Sequence, residues 1–97
     1  MEYVVSTEKS DGSQIWTYSN GTVIWLDLNK AYHRADGPAI VCKNGYEVWY
    51  VHGIRHRWEG PAVKQKGGGY EWWVRGIKLT SDEKKFWERV LSRFHRR

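Results

Sequence analysis

The run His33-Arg34-Ala35-Asp36-Gly37-Pro38-Ala39-Ile40 returns as His56-Arg57-Trp58-Glu59-Gly60-Pro61-Ala62-Val63, 23 positions later. At that spacing Trp49 pairs with Trp72, Tyr50 with Trp73, Val51 with Val74, Gly53 with Gly76 and Ile54 with Ile77. A more divergent copy lies upstream. There Asn20-Gly21 and Trp25 match Asn44-Gly45 and Trp49 at a spacing of 24. Self-similarity at a fixed spacing marks stacked supersecondary units, each needing its neighbour to bury an apolar side. The fold must therefore be an array.

Each unit reads as a hairpin. Asn20-Gly21 and Asn44-Gly45 suit two-residue type I′ turns, and Gly67-Gly68-Gly69 replaces them in the third copy. The flanking runs 15–19, 22–26, 39–43, 46–51, 62–66 and 70–75 are rich in β-branched and aromatic residues. Pro38 and Pro61 fall at strand starts, where a missing N–H is tolerated. With a first strand over residues 3–7, the expectation is mainly β. Tandem hairpins form one twisted antiparallel meander sheet of about seven strands in chain order.

The period changes after residue 79. Thr80 and Glu83 form a capping-box pattern. Phe86, Trp87, Val90, Leu91 and Phe94 then recur at helical spacing, with Lys84, Lys85, Glu88, Arg89 and Arg93 mostly opposite. Arg96 and Arg97 suit the C-terminal end of that helix. The chain reads as a single domain, 1–97, with the sheet in 1–79 and the helix in 80–97.

The segment Tyr46-Glu47-Val48-Trp49-Tyr50-Val51-His52-Gly53, with Gly60 after it, resembles a MORN repeat, as does Tyr70-Glu71-Trp72-Trp73 with Gly76. The segment His-Arg-x-Asp/Glu-Gly-Pro-Ala is similar to a MORN-like variant seen in phage and large-virus proteins. Val48 and Trp72 stand where the MORN pattern has glycine after Tyr-Glu, and Arg34 and Arg57 where glycine follows His. The resemblance covers residues 20–79. It implies a scaffold for contacts with proteins or lipids, carries over no catalytic residues, and is the sole source of a viral expectation.

Composition narrows the class. The 97 residues are 40% hydrophobic, enough for one modest core. No apolar run approaches the ~20 residues of a membrane span. The N-terminal residues lack a basic start and apolar stretch, so no signal peptide is read there. Cys42 is the one cysteine, which excludes an internal disulfide and fits a reducing, cytoplasmic setting. The formal charge of +5 favours polyanions or acidic proteins as partners.

Catalytic and metal readings are weak. His33 or His56 could act as a base beside Asp36 or Glu59. An element that recurs in every unit is better explained as holding units together, its carboxylates taking turn N–H groups and pairing with arginine. His52, His56 and Cys42 lack preset metal geometry. Cys42 alternates with Ile40 on an expected strand, the usual place of an inert thiol. Gly67-Gly68-Gly69 lacks the sequence after it that a phosphate loop needs. No catalytic residue, metal or cofactor is expected.

The aromatic surplus, 7 Trp and 6 Tyr, carries the functional expectation. Strand alternation puts Trp25, Trp49 and Trp72 on one face with Val23, Val51 and Val74. Ile24, Leu26, Val48, Tyr50 and Trp73 fall on the other. One helix covers only one face, so the tryptophan ladder either lines a rolled-up sheet or forms a binding surface. Residues that break the repeat are where recognition is expected, because the scaffold does not demand them. These are Arg55, Arg57, Trp58, Lys64, Lys66, Trp73 and Arg75. Together they suit an acidic protein surface, such as that of a host protein bound by a viral accessory protein. Nucleic acid is the alternative ligand. Unpaired end strands would also allow a homo-oligomer.

Overall fold

A computed structural model of the chain describes residues 4–94. Tyr3, at the start of the expected first strand, and Arg96 and Arg97 lie outside the described residues. Among these residues the structure is mainly β with one C-terminal helix. Seven strands form an open antiparallel sheet in chain order: β1 (Val4–Glu8), β2 (Gln14–Tyr18), β3 (Val23–Leu26), β4 (Ile40–Val41), β5 (Glu47–Val48), β8 (Val63–Lys64) and β9 (Tyr70–Glu71).

The gap between β5 and β8 corrects the sequence reading. Residues 46–51 do not run as one strand. The chain bends at Trp49, and β6 (Tyr50–Val51) pairs with β7 (Ile54–Arg55) in a separate two-stranded hairpin. The same happens at Trp72, where β10 (Trp73–Val74) pairs with β11 (Ile77–Lys78). The second and third units thus each contribute one hairpin to the sheet and one small hairpin beside it. Val51, Val74, Tyr50 and Trp73 therefore leave the sheet faces on which alternation would place them.

The turn types are also redistributed. In the Asn-Gly turns only the glycine is left-handed, Gly21 at φ 92° and Gly45 at φ 97°. Gly21 N–H donates to Tyr18 C=O, and Tyr18 N–H to Thr22 C=O. This is a type I turn closed by a glycine bulge, not a type I′ turn. The Asn20 and Asn44 side chains accept from the N–H two residues on, which fixes that geometry. The two-residue turns with positive φ at both positions sit in the small hairpins instead. They are His52-Gly53 (φ 45° and 84°) and Arg75-Gly76 (φ 52° and 81°).

Register explains the core. Trp16, Ile24, Ile40, Val48, Val63 and Glu71 are successive cross-strand partners on one face. Trp25, Ala39, Trp49, Ala62 and Trp72 form the adjacent rung on the other. Its bonds run from Trp25 N–H to Ala39 C=O and from Trp49 N–H to Ala62 C=O. The tryptophans therefore share a face, as expected. Ala39 and Ala62 are wholly buried and leave room for the indoles on either side. Val48 and Val63 complete a narrow buried core. The sheet does not roll up. The loops carrying the repeated motif fold over the tryptophan rung instead.

The helix α1 (Ser81–Phe94) stands where a third motif would, its N-cap Thr80 lying 23 residues after Arg57. Its capping box forms: Thr80 N–H donates to the Glu83 carboxylate, and Glu83 N–H to Thr80 Oγ1. The apolar stripe is only partly covered. Trp87 lies against Trp58, with ring centroids 5.5 Å apart, while Phe86 is 57% exposed. Among the described residues no helix is long and apolar enough to cross a membrane.

Candidate functional site

The two motif loops share one internal design. His33 N–H donates to Trp25 C=O, and Arg34 N–H to Tyr50 C=O. His56 and Arg57 repeat those bonds onto Trp49 and Trp73. The Arg34 guanidinium then lies over the Trp25 ring at 3.9 Å, and Arg57 over Trp49 at 4.0 Å. Each arginine donates to a proline carbonyl, of Pro38 or Pro61, at 3.2 Å. The glycine before each proline makes room. A Cβ at Gly37 would stand 2.7 Å from the Arg34 guanidinium carbon, and one at Gly60 would stand 2.9 Å from Arg57 Nη1. The recurring histidine and arginine of each loop thus bond to neighbouring strands, and the arginine also closes its own loop.

The histidines reach furthest. His33 Nδ1 accepts the N–H of His52, and His56 Nδ1 accepts the N–H of Arg75, each 19 residues away. Those donors belong to the left-handed residues of the small hairpins. Both imidazoles must be neutral at Nδ1 to accept. Burial lowers the His33 pKa, aided by the positive potential of His52; burial and then Arg75 lower that of His56. In both rings one of the two nitrogens is committed to the scaffold. Nδ1 is taken by backbone, and Asp36 lies 3.3 Å from Arg34 Nε.

A pair that the sequence reading missed holds the turn after β3. Asp27, 6% exposed, accepts the N–H groups of Asn29 and Ala31 with one oxygen. Its other oxygen lies 2.7 Å from His52 Nδ1. The bond from His52, and then that from Ala31, hold the Asp27 carboxyl below the usual carboxylate range. The His52 ring stacks on His33 at 3.9 Å. Asp27 and Asn29 carry a local turn signal. Nothing local points to His52, which lies 25 residues away.

The expected binding residues separate into groups. Trp58 and Arg75 meet: the Arg75 guanidinium lies 5.4 Å from the Trp58 ring centre, and Trp58 is 43% exposed. Trp58 also meets His56 edge-on at 4.6 Å. Arg55 lies between Tyr50 and Trp73, 5.0 Å from the Trp73 ring centre, and its Nε donates to the Tyr50 hydroxyl. Trp73 Nε1 donates to Glu71, a bond that lowers the Glu71 pKa more than any other contact does. Arg57 belongs to the scaffold stack on Trp49. Lys64 and Lys66 are exposed, but lie toward the end of β8 away from the motif loop.

Two clefts flank the first motif loop. One, of about 370 Å³, is lined by Asp36, Trp49, Val51, Arg57, Trp58 and Glu59. The other, of about 400 Å³, is lined by Ile15, Trp25, Leu26, Arg34 and Asp36. They correspond under the repeat: Trp25 with Trp49, Arg34 with Arg57, Asp36 with Glu59. Among the described residues no three His, Cys, Asp or Glu side chains are grouped so as to hold a metal ion. Gly67-Gly68-Gly69 forms a turn closed by the bond from Gly68 N–H to Gln65 C=O. Comparison with protein-family models, with curated proteins and with solved structures finds no match.

Proposed function

We propose that this chain is a non-catalytic binding module that engages an acidic protein surface, and that it serves as a phage or viral accessory protein acting on a host protein in the cytoplasm. The observation that carries the binding reading is Trp58. It replaces the Ala35 of the preceding copy, so the scaffold does not require it, yet it places a large half-open indole beside exposed Arg75 at a cleft. Tryptophan and arginine at a concave site are the side chains that most often anchor protein partners. The viral part rests on the sequence resemblance.

The same cluster could stack a base and meet a phosphate. Asp36 and Glu59 at the cleft repel a continuous run of phosphates, whereas a protein can set its acidic residues against Arg75 and keep uncharged side chains at the cleft. The test is recovery of partners from host lysate with the unaltered chain, Trp58→Ala and Arg75→Ala as parallel baits. A partner that is lost with both variants supports the proposal. Recovery that ignores both variants contradicts it. Polyanion binding with a steep salt slope would instead support nucleic acid.

A further inference from the structure

The array stops without a closing strand. In the first two units the edge beside the tryptophan is covered by the chain's own return strand. Trp25 N–H donates to Ala39 C=O at 2.8 Å, and Trp49 N–H to Ala62 C=O at 2.7 Å. Ala39 and Ala62 are wholly buried there. Ile40 and Val63 follow, opposite Ile24 and Val48. The third unit begins in the same way. Leu79 N–H donates to Trp72 C=O, as His33 does to Trp25 and His56 to Trp49. The chain then enters α1 instead of returning, so β9 is the last strand of the sheet.

Backbone groups alternate between the two sides of a strand. Glu71 C=O accepts Ala62 N–H and Gly69 C=O accepts Gln65 N–H, so residues 69 and 71 face into the sheet. Tyr70 and Trp72 therefore turn their backbone groups to the open edge. Among the described residues no acceptor meets Trp72 N–H. Tyr70 is 59% exposed, and α1 rests against Trp58 of the second loop through Trp87. An open sheet edge of this kind accepts an added strand.

The two earlier junctions specify what fits. We infer that the β9 edge docks an extended segment of a protein partner by strand addition. That segment carries a proline, then a small residue opposite Trp72, then threonine or a similar β-branched hydroxyl residue opposite Glu71. The first two repeat Pro38-Ala39 and Pro61-Ala62. A proline has no N–H to leave unpaired at the start of the strand. The hydroxyl follows from Glu71, which ends the rung of Ile24, Ile40, Val48 and Val63 with a carboxylate. Lys78 already lies 3.8 Å from that carboxylate, so a hydroxyl donor suits it better than a second cation. A carboxylate placed opposite it is repelled. The site uses neither Trp58 nor Arg75 and goes beyond the reading above.

The test adds synthetic peptides to the full chain and follows its backbone amides by NMR. The first peptide copies residues 59–66 with Val63→Thr. The second adds Ala62→Trp to it, and the third carries Val63→Glu in place of the threonine. The first should saturate below about 2 mM, shift the Tyr70 and Trp72 amides, and slow the exchange of Trp72 N–H. The second should bind about tenfold more weakly, because an indole beside Trp72 overfills the rung. The third should bind about threefold more weakly, and Glu71→Gln in the chain should remove that difference. Tyr70→Pro removes one outward N–H and should abolish binding, while the Ala62 amide shows β8 and β9 still paired. Equal binding of the three peptides, or no saturable shift up to about 5 mM, would overturn the inference. So would shifts centred on Trp49, meaning that the peptide displaces the chain's own return strand. Dimers in light scattering that close the β9 edge without peptide would also overturn it.

Discussion

The two motif loops, residues 33–40 and 56–63, have the same skeleton and different surfaces. In both, the histidine accepts a backbone N–H from the next small hairpin, the arginine covers a tryptophan, and the glycine leaves room for that arginine. They differ at the next position. Ala35 presents only a methyl group, whereas Trp58 stands between His56, Arg75 and Trp87. The recurring histidine and arginine bond to neighbouring strands and units. What changes reaches solvent. A repeat array can thus vary one surface position while its architecture stays fixed.

The sharpest way to break this comparison is to exchange a scaffold tryptophan for a surface one. Trp49→Ala removes the indole between Ala39 and Ala62 and strands Arg57 above a void. It should cost about 3–5 kcal/mol, enough to unfold a chain with so few buried residues. Trp58→Ala should cost less than about 1 kcal/mol. Urea titration of both variants measures the contrast.

A smaller effect tests the glycines. Gly60→Ala drives a Cβ into the end of a flexible side chain, so Arg57 should swing off Trp49 at a cost of about 1–2 kcal/mol. Gly37→Ala should do the same to Arg34. Adding Arg57→Ala to Gly60→Ala should cost little more, because both act on one stack. Full additivity in a double-mutant cycle would contradict the shared design.

Acid should weaken both loops together. The folded-state pKa values of His33 and His56 are lowered, so folding favours the neutral rings. Their contribution is complete above the unfolded value of about 6.5 and is lost as pH falls through the lowered values. His33 faces His52 and Asp27; His56 faces Arg75. The lowered Asp27 carboxyl acts in the same direction at still lower pH. Chemical denaturation from pH 8 to 5 should show falling stability, and the double variant His33→Gln, His56→Gln should flatten the curve between pH 7 and 6.

The repeat spacing and the strand-forming runs made the sheet and its order legible, and the change to helical spacing with the Thr80 and Glu83 cap did so for the terminal helix. The turn types were not. Asn20-Gly21 resembles a type I′ turn, but Tyr18 and Thr22 close a bulge around it. The true type I′ turns place His52 and Arg75, which are not glycine, at positive φ, a conformation unfavourable on its own. Bonds to His33 and His56, 19 residues away, hold it in place, and no local pattern announces them. The break at Trp49 was hidden for the same reason, since Tyr46–Val51 has unbroken strand propensity. Trp58 stood out because it departs from Ala35. Its contact with Trp87 depends on how the helix docks, which lies beyond spacing arguments.

The amide hydrogen exchange of His52 and Arg75 at pH 7.5 bears most directly on the histidine clamps between units. Both residues are exposed turn positions whose N–H groups would otherwise face water. The clamps predict exchange slower than in an unstructured peptide by at least about tenfold, with protection lost at His52 in His33→Ala and at Arg75 in His56→Ala. Exchange at the unstructured rate in the unaltered chain would contradict the account, as would protection that survives both substitutions.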